Sequence, residues 1–555
     1  MNEEKRQNIV FNIVAIVCIV LFCAALAPKT LQNDTFYTIK IGEYIYQNGI
    51  SDLTTDLYSW HELPYTYPHW LYDLCIFLIY NVFGHLGIYV STMIFSALLG
   101  VSIYALSVEK SKNKIISFVV TIGAVYLMKS FIAARAQLVT FILFVWEVYA
   151  IEKFLSTRKK KYIVPLIIIP LLITNLHCAV FPFYFILFLP YIGEFLLLTV
   201  EDWDLDKRLF SVLLKVIRKI VRKEDKKEKL NLKIEKIKED ISERNRKRGI
   251  MREKPYKIRV EKNKAVISLI IIMIIAAGTG FLNPAGTGAY TYLYKTLQGN
   301  TTGSINEHLP TVLAENSEFA ITLVMFLTIL IFSDTKIRLS DLFMLAGLTY
   351  LSINSKRQVS MFAIFCGPIL VKLIADMFEK YDGQTTKKLL RIFSDWFGVT
   401  VLLCCFIVMS IKIFKPKMSD EYIDKYSYPV AASEWMLNNL DVENIKLYNE
   451  YNYGSYLLFE GIPVFIDSRC DLYSPEFNGD EKNGIEGRDI FSDALNIASI
   501  SVNHEGKFEH YGVTHVILYA NAKLATLLDE EDGYTMLYTD GIFSIYERTK
   551  ATNEN

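Results

Sequence analysis

WLYDLCIFLIYNVFG, residues 70–84, is the stretch whose reading decides the fold. It is apolar, yet shorter than the roughly 20 residues a helix needs to cross a bilayer. We read it as a helix lying at the membrane surface or dipping into it. The runs around it are longer. IVFNIVAIVCIVLFCAALA at 9–27 and AVISLIIIMIIAAGTGFL at 265–282 have spanning length. Further apolar runs fall at 86–107, 115–133, 137–156, 162–176, 178–200, 319–334, 339–353, 357–378 and 393–414. With 52% hydrophobic residues gathered into such runs, the chain reads as a mainly α-helical polytopic membrane protein. Leaving 70–84 out gives about 11 transmembrane helices. The first run, though followed by CAALA at 23–27, exceeds a typical signal-peptide core and reads as an uncleaved first helix.

Loop charge tests the treatment of 70–84. Cytoplasmic loops carry an excess of Lys and Arg. If 70–84 does not span, one side receives Lys110, Lys112, Lys114, the RKKK run at 158–161, Lys336, Arg338, Lys387 and Lys388. It also receives the basic insert at 201–263. The other side receives Asp34, Arg135, His177, Asn283, Glu307, His308, Arg357 and the tail. Counting 70–84 as a span would invert the downstream loops and break the rule almost everywhere. The odd count stands.

This reading divides the chain into a transmembrane domain at 1–414 and an extracytoplasmic α/β domain at 415–555. Within the first lie an outer loop with the surface helix at 28–85 and the charged cytoplasmic insert. In the tail, NIKLYNEY, PVFIDSR, THVILYA, TMLYTD and FSIYERT read as short strands, with helical patterns at 429–440 and 521–530. The insert, KVIRKIVRKEDKKEKLNLKIEKIKEDISERNRKRG, reads as a long charged helix or helical hairpin, solvated or at the membrane surface, with docking of a cytosolic partner as the second reading. Its charges alternate in sign, so no nucleic-acid partner is expected. Net charge is zero, and the eight cysteines sit mostly in apolar spans without metal-ligand spacing.

Polar groups on the outer side fall at helix ends. LQNDTFYTIKIGEYIYQNG (31–49) supplies Asp34, FIAARAQL supplies Arg135 and Gln137, and TNLHC supplies Asn175 and His177. TTGSINEHLP supplies Glu307 and His308, INSKRQVS supplies Lys356 and Arg357, and His69 precedes the surface helix. Ionisable groups at membrane depth are functional candidates. Cations facing a carboxylate suit an anionic substrate, because Arg grips phosphate through a bidentate fork and Asp accepts a proton. Each has a blander reading: lipid-facing snorkelling for Arg135 and Arg357, an interhelical hydrogen bond for His177, capping for His69. Asp52 and Asp56, in SDLTTD, read as turn formers. Tyr58, Trp60, Tyr65, Tyr67, Trp70 and Tyr72 suit a membrane interface as well as a sugar. A divalent metal on Asp34, Glu307 and His308 is chemically possible, though the spacing does not require one. GxxxxGK[ST], GxSxG and HExxH are absent.

The strings NDTFYTIKIGEYIYQNG, DLYSW, PHWLYDL, ARAQL, TNLH, LNPAG, INSKRQ and NEYNYGSYLLF…PVFIDSRCDLY make the chain resemble the GT-C superfamily of integral-membrane glycosyltransferases, specifically a bacterial GT-C-like family. That resemblance spans nearly everything except 201–263. It implies a polyprenyl-phosphate-linked sugar donor and an acceptor presented from outside. Asp34 would act as base or organise a metal, and Arg135 and Arg357 would hold the donor phosphate. NEYNYGSYLLF is loosely similar to the WWDYG region of oligosaccharyltransferases, but lacks both Trp and the Asp. Asn33–Asp34 stands where several GT-C families have paired acidic residues. The expected function is sugar transfer at the cell membrane. The rivals are a transporter or lipid flippase, which would show mid-bilayer polar groups and repeat symmetry, and a non-catalytic envelope assembly protein.

Overall fold

The computed structural model describes residues 3–50, 55–221, 224–253, 257–299, 303, 305–479 and 486–549. The chain opens with α1 (Glu3–Leu26) and α2 (Asn33–Asn48). α3 (Trp70–Ser111) bends where Gly84 takes φ 61° and ψ −153°, a conformation that glycine holds at little steric cost. The bend ends the segment read as a surface helix. The chain runs straight into the second arm, with no loop between. α4 (Lys114–Leu127), α5 (Ala136–Thr157), α6 (Ile163–Leu176), α7 (Phe181–Ile186) and α8 (Leu189–Trp203) follow. The insert folds as α9 (Leu205–Ile220) and α10 (Glu224–Glu253). Then come β1 (Ile258–Arg259), α11 (Val266–Thr279), α12 (Gly288–Gln298), α13 (Ser317–Phe332), β2 (Ile337–Arg338), α14 (Leu339–Asn354), α15 (Val359–Ile392) and α16 (Trp396–Lys417).

Every apolar run of the sequence falls on one or two of these helices. Five helical stretches among the described residues have the length and apolarity to cross a membrane: Glu3–Leu26, Trp70–Ser111, Cys178–Val200, Lys356–Ile392 and Trp396–Lys417. The bundle core is built by Phe11 and Phe22 of α1, Phe144 of α5, Phe181 of α7, Phe319 of α13 and Phe362 of α15. Basic residues assigned to one side meet at one end of it. Lys110 pairs with Glu152 at 2.8 Å and Asp341 at 2.6 Å, and Arg338 reaches Glu152 at 2.8 Å. Glu152 lies on α5 about 25 Å along the helix from Arg135, at 1.5 Å per residue.

Beyond the bundle the chain forms α17 (Val430–Asn439), β3 (Leu447–Tyr448), α18 (Gly454–Phe459), α19 (Pro475–Asn478), α20 (Ile490–Ala498), α21 (His504–Tyr511), β4 (His515–Tyr519), α22 (Lys523–Glu530), β5 (Tyr534–Thr539) and β6 (Phe543–Arg548). The strands pair in the order β3-β4-β6-β5, the first pair parallel and the others antiparallel. PVFIDSR, expected as a strand, joins no sheet. Val464 instead exchanges backbone hydrogen bonds with Tyr58 and Trp60 of the first loop. Asn449 takes the Phe465 N–H at 2.8 Å and donates to the Ile466 carbonyl at 2.7 Å. A buried backbone needs partners, and here side chain and loop supply them.

A second apolar core crosses the division drawn at 414. Phe36, Tyr65, Tyr67, Tyr72 and Ile76 from the first loop share it with Tyr448, Tyr456, Phe465 and Ile517. Asp56, read as a turn former, does accept the Tyr58 and Ser59 N–H groups, but it is buried and also receives Arg469 at 2.7 Å. Asp52 lies outside the described residues.

His61 packs against Trp60, Phe465 and Tyr511, and its Nε2 lies 3.0 Å from the Phe465 carbonyl. Burial, and secondarily Arg488, lower its pKa to about 3. In the unfolded chain it would titrate near 6.5. The unfolded state therefore binds the proton first as pH falls, and stability is lost between about pH 6.5 and 3, by up to about 1.4 kcal/mol per unit. Thermal unfolding across that range should show the slope, and His61→Phe should flatten it. An unchanged slope in the variant would remove His61 as its source.

Candidate active site

A cavity of about 760 Å³ opens where the bundle meets the C-terminal segment. Of the residues singled out on the outer side, Asn175, Asn283 and Lys356 do not line it, whereas Asp34, His69, Arg135, Gln137, His177, Glu307, His308 and Arg357 do. They arrive from separate helix ends. Asp34 sits in the first turn of α2, Arg135 caps the start of α5, and His177 ends α6. Glu307 and His308 belong to one 3-10 turn, and Arg357 to another just before α15. α2 is held close to α3 at Gly42, where a Cβ would collide with the Asp73 carbonyl and Phe77.

Arg135 stands between two carboxylates. Its Nε is 2.9 Å from Asp34 Oδ2, and one terminal nitrogen donates to Glu307 Oε1 at 2.9 Å. Burial opposes charge on Arg135 and on Glu307. Even so, Asp34 and Glu307 push the arginine's pKa further up, and Arg135 and Arg357 hold Glu307 below the usual carboxylate range. Arg357 differs. Among the described residues its guanidinium has no hydrogen-bond or ion-pair partner, though it lines the same cavity. One arginine is already compensated, and the other is available for an anion.

The histidines divide by environment. His69 Nδ1 faces both Asp73 oxygens, at 2.7 and 2.9 Å, and its Nε2 lies 3.1 Å from the Tyr37 hydroxyl. Burial would lower its basicity, but Asp73 raises it above the ordinary value. His177 is buried 3.4 Å from the Thr140 hydroxyl. Desolvation, then Arg357, hold its pKa well below normal, so it is neutral at pH 7. His308 is shifted down for the same two reasons. A metal set on Asp34, Glu307 and His308 does not fit. The Arg135 guanidinium lies between the two carboxylates, and no cluster of three or more His, Cys, Asp or Glu able to hold a metal occurs among the described residues.

The C-terminal segment contributes a wall that sequence reasoning did not place. Glu450, Tyr451 and Ser468 to Asp471 line the cavity. Asp471 accepts the Tyr292 hydroxyl at 2.7 Å, and burial raises its pKa, as it does that of Glu450. Asn33 donates to the Tyr451 carbonyl at 2.9 Å, while its own Oδ1 is buried without a partner. The available signal was the pair of strings NEYNYGSYLLF and PVFIDSRCDLY, quoted above for their resemblance rather than for their position.

No protein-family model matches the chain, and no curated protein matches it. Solved structures do. The apo oligosaccharyltransferase of Archaeoglobus fulgidus aligns with 98% of this chain and 74% of its own, at 13% identity and a TM-score of 0.51. The same enzyme, AglB, in complex with an inhibitory peptide and a dolichol-phosphate, aligns over 97% and 74% at 12% identity and a TM-score of 0.50. ArnT from Cupriavidus metallidurans, bound to undecaprenyl phosphate, covers 98% of each chain at 10% identity and a TM-score of 0.49. At these identities the likeness shows the fold alone: the chain shares the overall architecture of the archaeal oligosaccharyltransferase.

Proposed function

We propose that the chain is a multi-pass membrane glycosyltransferase that moves a sugar from a polyprenyl-phosphate carrier to an extracytoplasmic acceptor. About eleven spans would place the cavity and the α/β domain at 415–555 outside the membrane. The observation that carries the reading is the company Arg357 keeps. A guanidinium without a protein partner shares one cavity with a carboxylate, Asp34, already oriented by Arg135. The GT-C fold and the dolichol-phosphate bound to the archaeal neighbour are consistent with it.

In this mechanism Asp34 takes the proton of the acceptor hydroxyl as its oxygen attacks the anomeric carbon. The bond from that carbon to the phosphate oxygen breaks, and the oxygen leaves with the electron pair as a polyprenyl phosphate. Arg357 meets the growing charge through two N–H donors. Attack opposite the leaving group inverts the anomeric centre. Arg135 and Glu307 keep Asp34 in place, and neutral His177 and Gln137 line the sugar's side of the cavity.

The test follows the phosphate. Full-length protein in liposomes is given a radiolabelled polyprenyl-phosphate hexose, and label transfer is followed. Losing a charge-assisted contact worth about 1.5–3 kcal/mol, Arg357→Gln should raise donor KM by about 10–100-fold. Arg357→Lys should recover part of that loss, since it restores charge but not the fork. An unaltered donor KM in the folded glutamine variant would remove Arg357 from the phosphate site.

A further inference from the structure

The insert that interrupts the bundle carries a face with none of the described residues against it. α9 and α10 pack as an antiparallel hairpin, pinned by Lys207 to Asp240 at 2.8 Å, Arg218 to Asn231 at 2.9 Å and Arg248 to Asp204 at 2.9 Å. Ser211 and Leu214 of α9 and Ile234 of α10 are buried along the seam. With 3.6 residues per turn, a different face of α9 carries Leu209, Phe210, Val212, Leu213, Val216 and Ile220. Each of these is more than half exposed. Arg208, Lys215 and Lys219, all exposed, flank that stripe on one side, while Lys207 and Arg218 face the seam with α10.

The position of α9 is as telling as its pattern. The apolar stretch Cys178–Val200 ends five residues before Leu205, and the chain turns through Asp204 at φ 41°. On its return the insert is tied to the bundle where β1 pairs with β2, Arg259 opposite Arg338. That is the end at which Arg338, Lys110 and Glu152 meet, away from the candidate active site. α9 therefore leaves the bundle at the level where a spanning helix ends.

We propose that α9 lies in the membrane interface at this end, its aliphatic face among the acyl chains and its cations on anionic phospholipid headgroups. Three observations favour lipid over a protein partner. The stripe is convex and almost wholly aliphatic, its exposed rim of Arg208, Lys215 and Lys219 is cationic, and it starts within reach of a span. Basic rims on an apolar helix face are the pattern that anchors helices in anionic leaflets. The inference is independent of the transferase reading.

Photo-crosslinking tests it. A benzophenone amino acid replaces Val216 in the full-length protein, reconstituted in nanodiscs of phosphatidylcholine alone or mixed with phosphatidylglycerol. Adducts are identified by mass spectrometry. We expect lipid adducts in both, with phosphatidylglycerol captured at least about threefold above its mole fraction in the mixture. Lys215→Glu with Lys219→Glu, both on exposed positions, should abolish that enrichment. Adducts to protein in native membranes, no lipid adduct, or enrichment that survives the double variant would each overturn the proposal.

Discussion

Asp34→Asn is expected to lower sugar transfer by about 10²–10⁴-fold, the range that a positioned general base contributes. The amide keeps the shape of the side chain and still faces Arg135, but it does not take a proton from the acceptor hydroxyl. The fold should survive. The Asp34 side chain is 28% exposed and that of Arg135 27%, so the pair is worth about 0–1 kcal/mol to stability. Donor KM should hold nearly constant while kcat falls, which separates this variant from Arg357→Gln. Single-turnover transfer from a polyprenyl-phosphate hexose, with a thermal melt on the same preparation, reads both effects. Wild-type turnover in folded Asp34→Asn protein would end the base assignment.

Arg469→Met should cost about 3–5 kcal/mol of stability. Arg469 reaches Asp56 at 2.7 Å and Asp467 at 2.6 Å, and all three side chains are at most 1% exposed. Tyr473 adds a hydroxyl to Asp467 at 2.6 Å. Removing the cation leaves two carboxylates buried without their counter-charge, and burial of an unpaired charge is the expensive case. A fall in melting temperature on the order of 10 °C is expected for a unit of this size. Transfer should weaken as well, because Asp56 ties down the loop that carries Asp34. Asp56→Asn, which keeps hydrogen-bonding atoms and removes one charge, should cost less. A melt of Arg469→Met that overlays wild type would show that the triad does not hold the loop.

What the sequence disclosed followed from constraints that act locally. Apolar runs must become helices, because a bilayer leaves the backbone no other partner. Loop charge then sorts helix ends, and that sorting was enough to bring Asp34, Arg135, His177, Glu307 and Arg357 to one cavity. Which cation would already be compensated was not legible. Arg135 and Arg357 look alike in sequence, and only the placement of Asp34 and Glu307 distinguishes them. Asp56 does form the turn read for it, but its second role was hidden for a related reason. SDLTTD has turn composition, and nothing nearby announces a partner 413 positions away. PVFIDSR has the composition of a strand, but its hydrogen bonds go to the first loop and to Asn449. Long-range pairings of this kind leave no period in the sequence.

The shared core of the first loop and the C-terminal segment imposes an order on assembly. Phe36 and Tyr65 are made early, while β6, which lies between β4 and β5, ends at Arg548. During translation the loop bearing Asp34 must wait, its aromatic side chains uncovered, for almost the entire chain to be synthesised. A ribosome stalled past α16 would leave a bundle with half a vestibule.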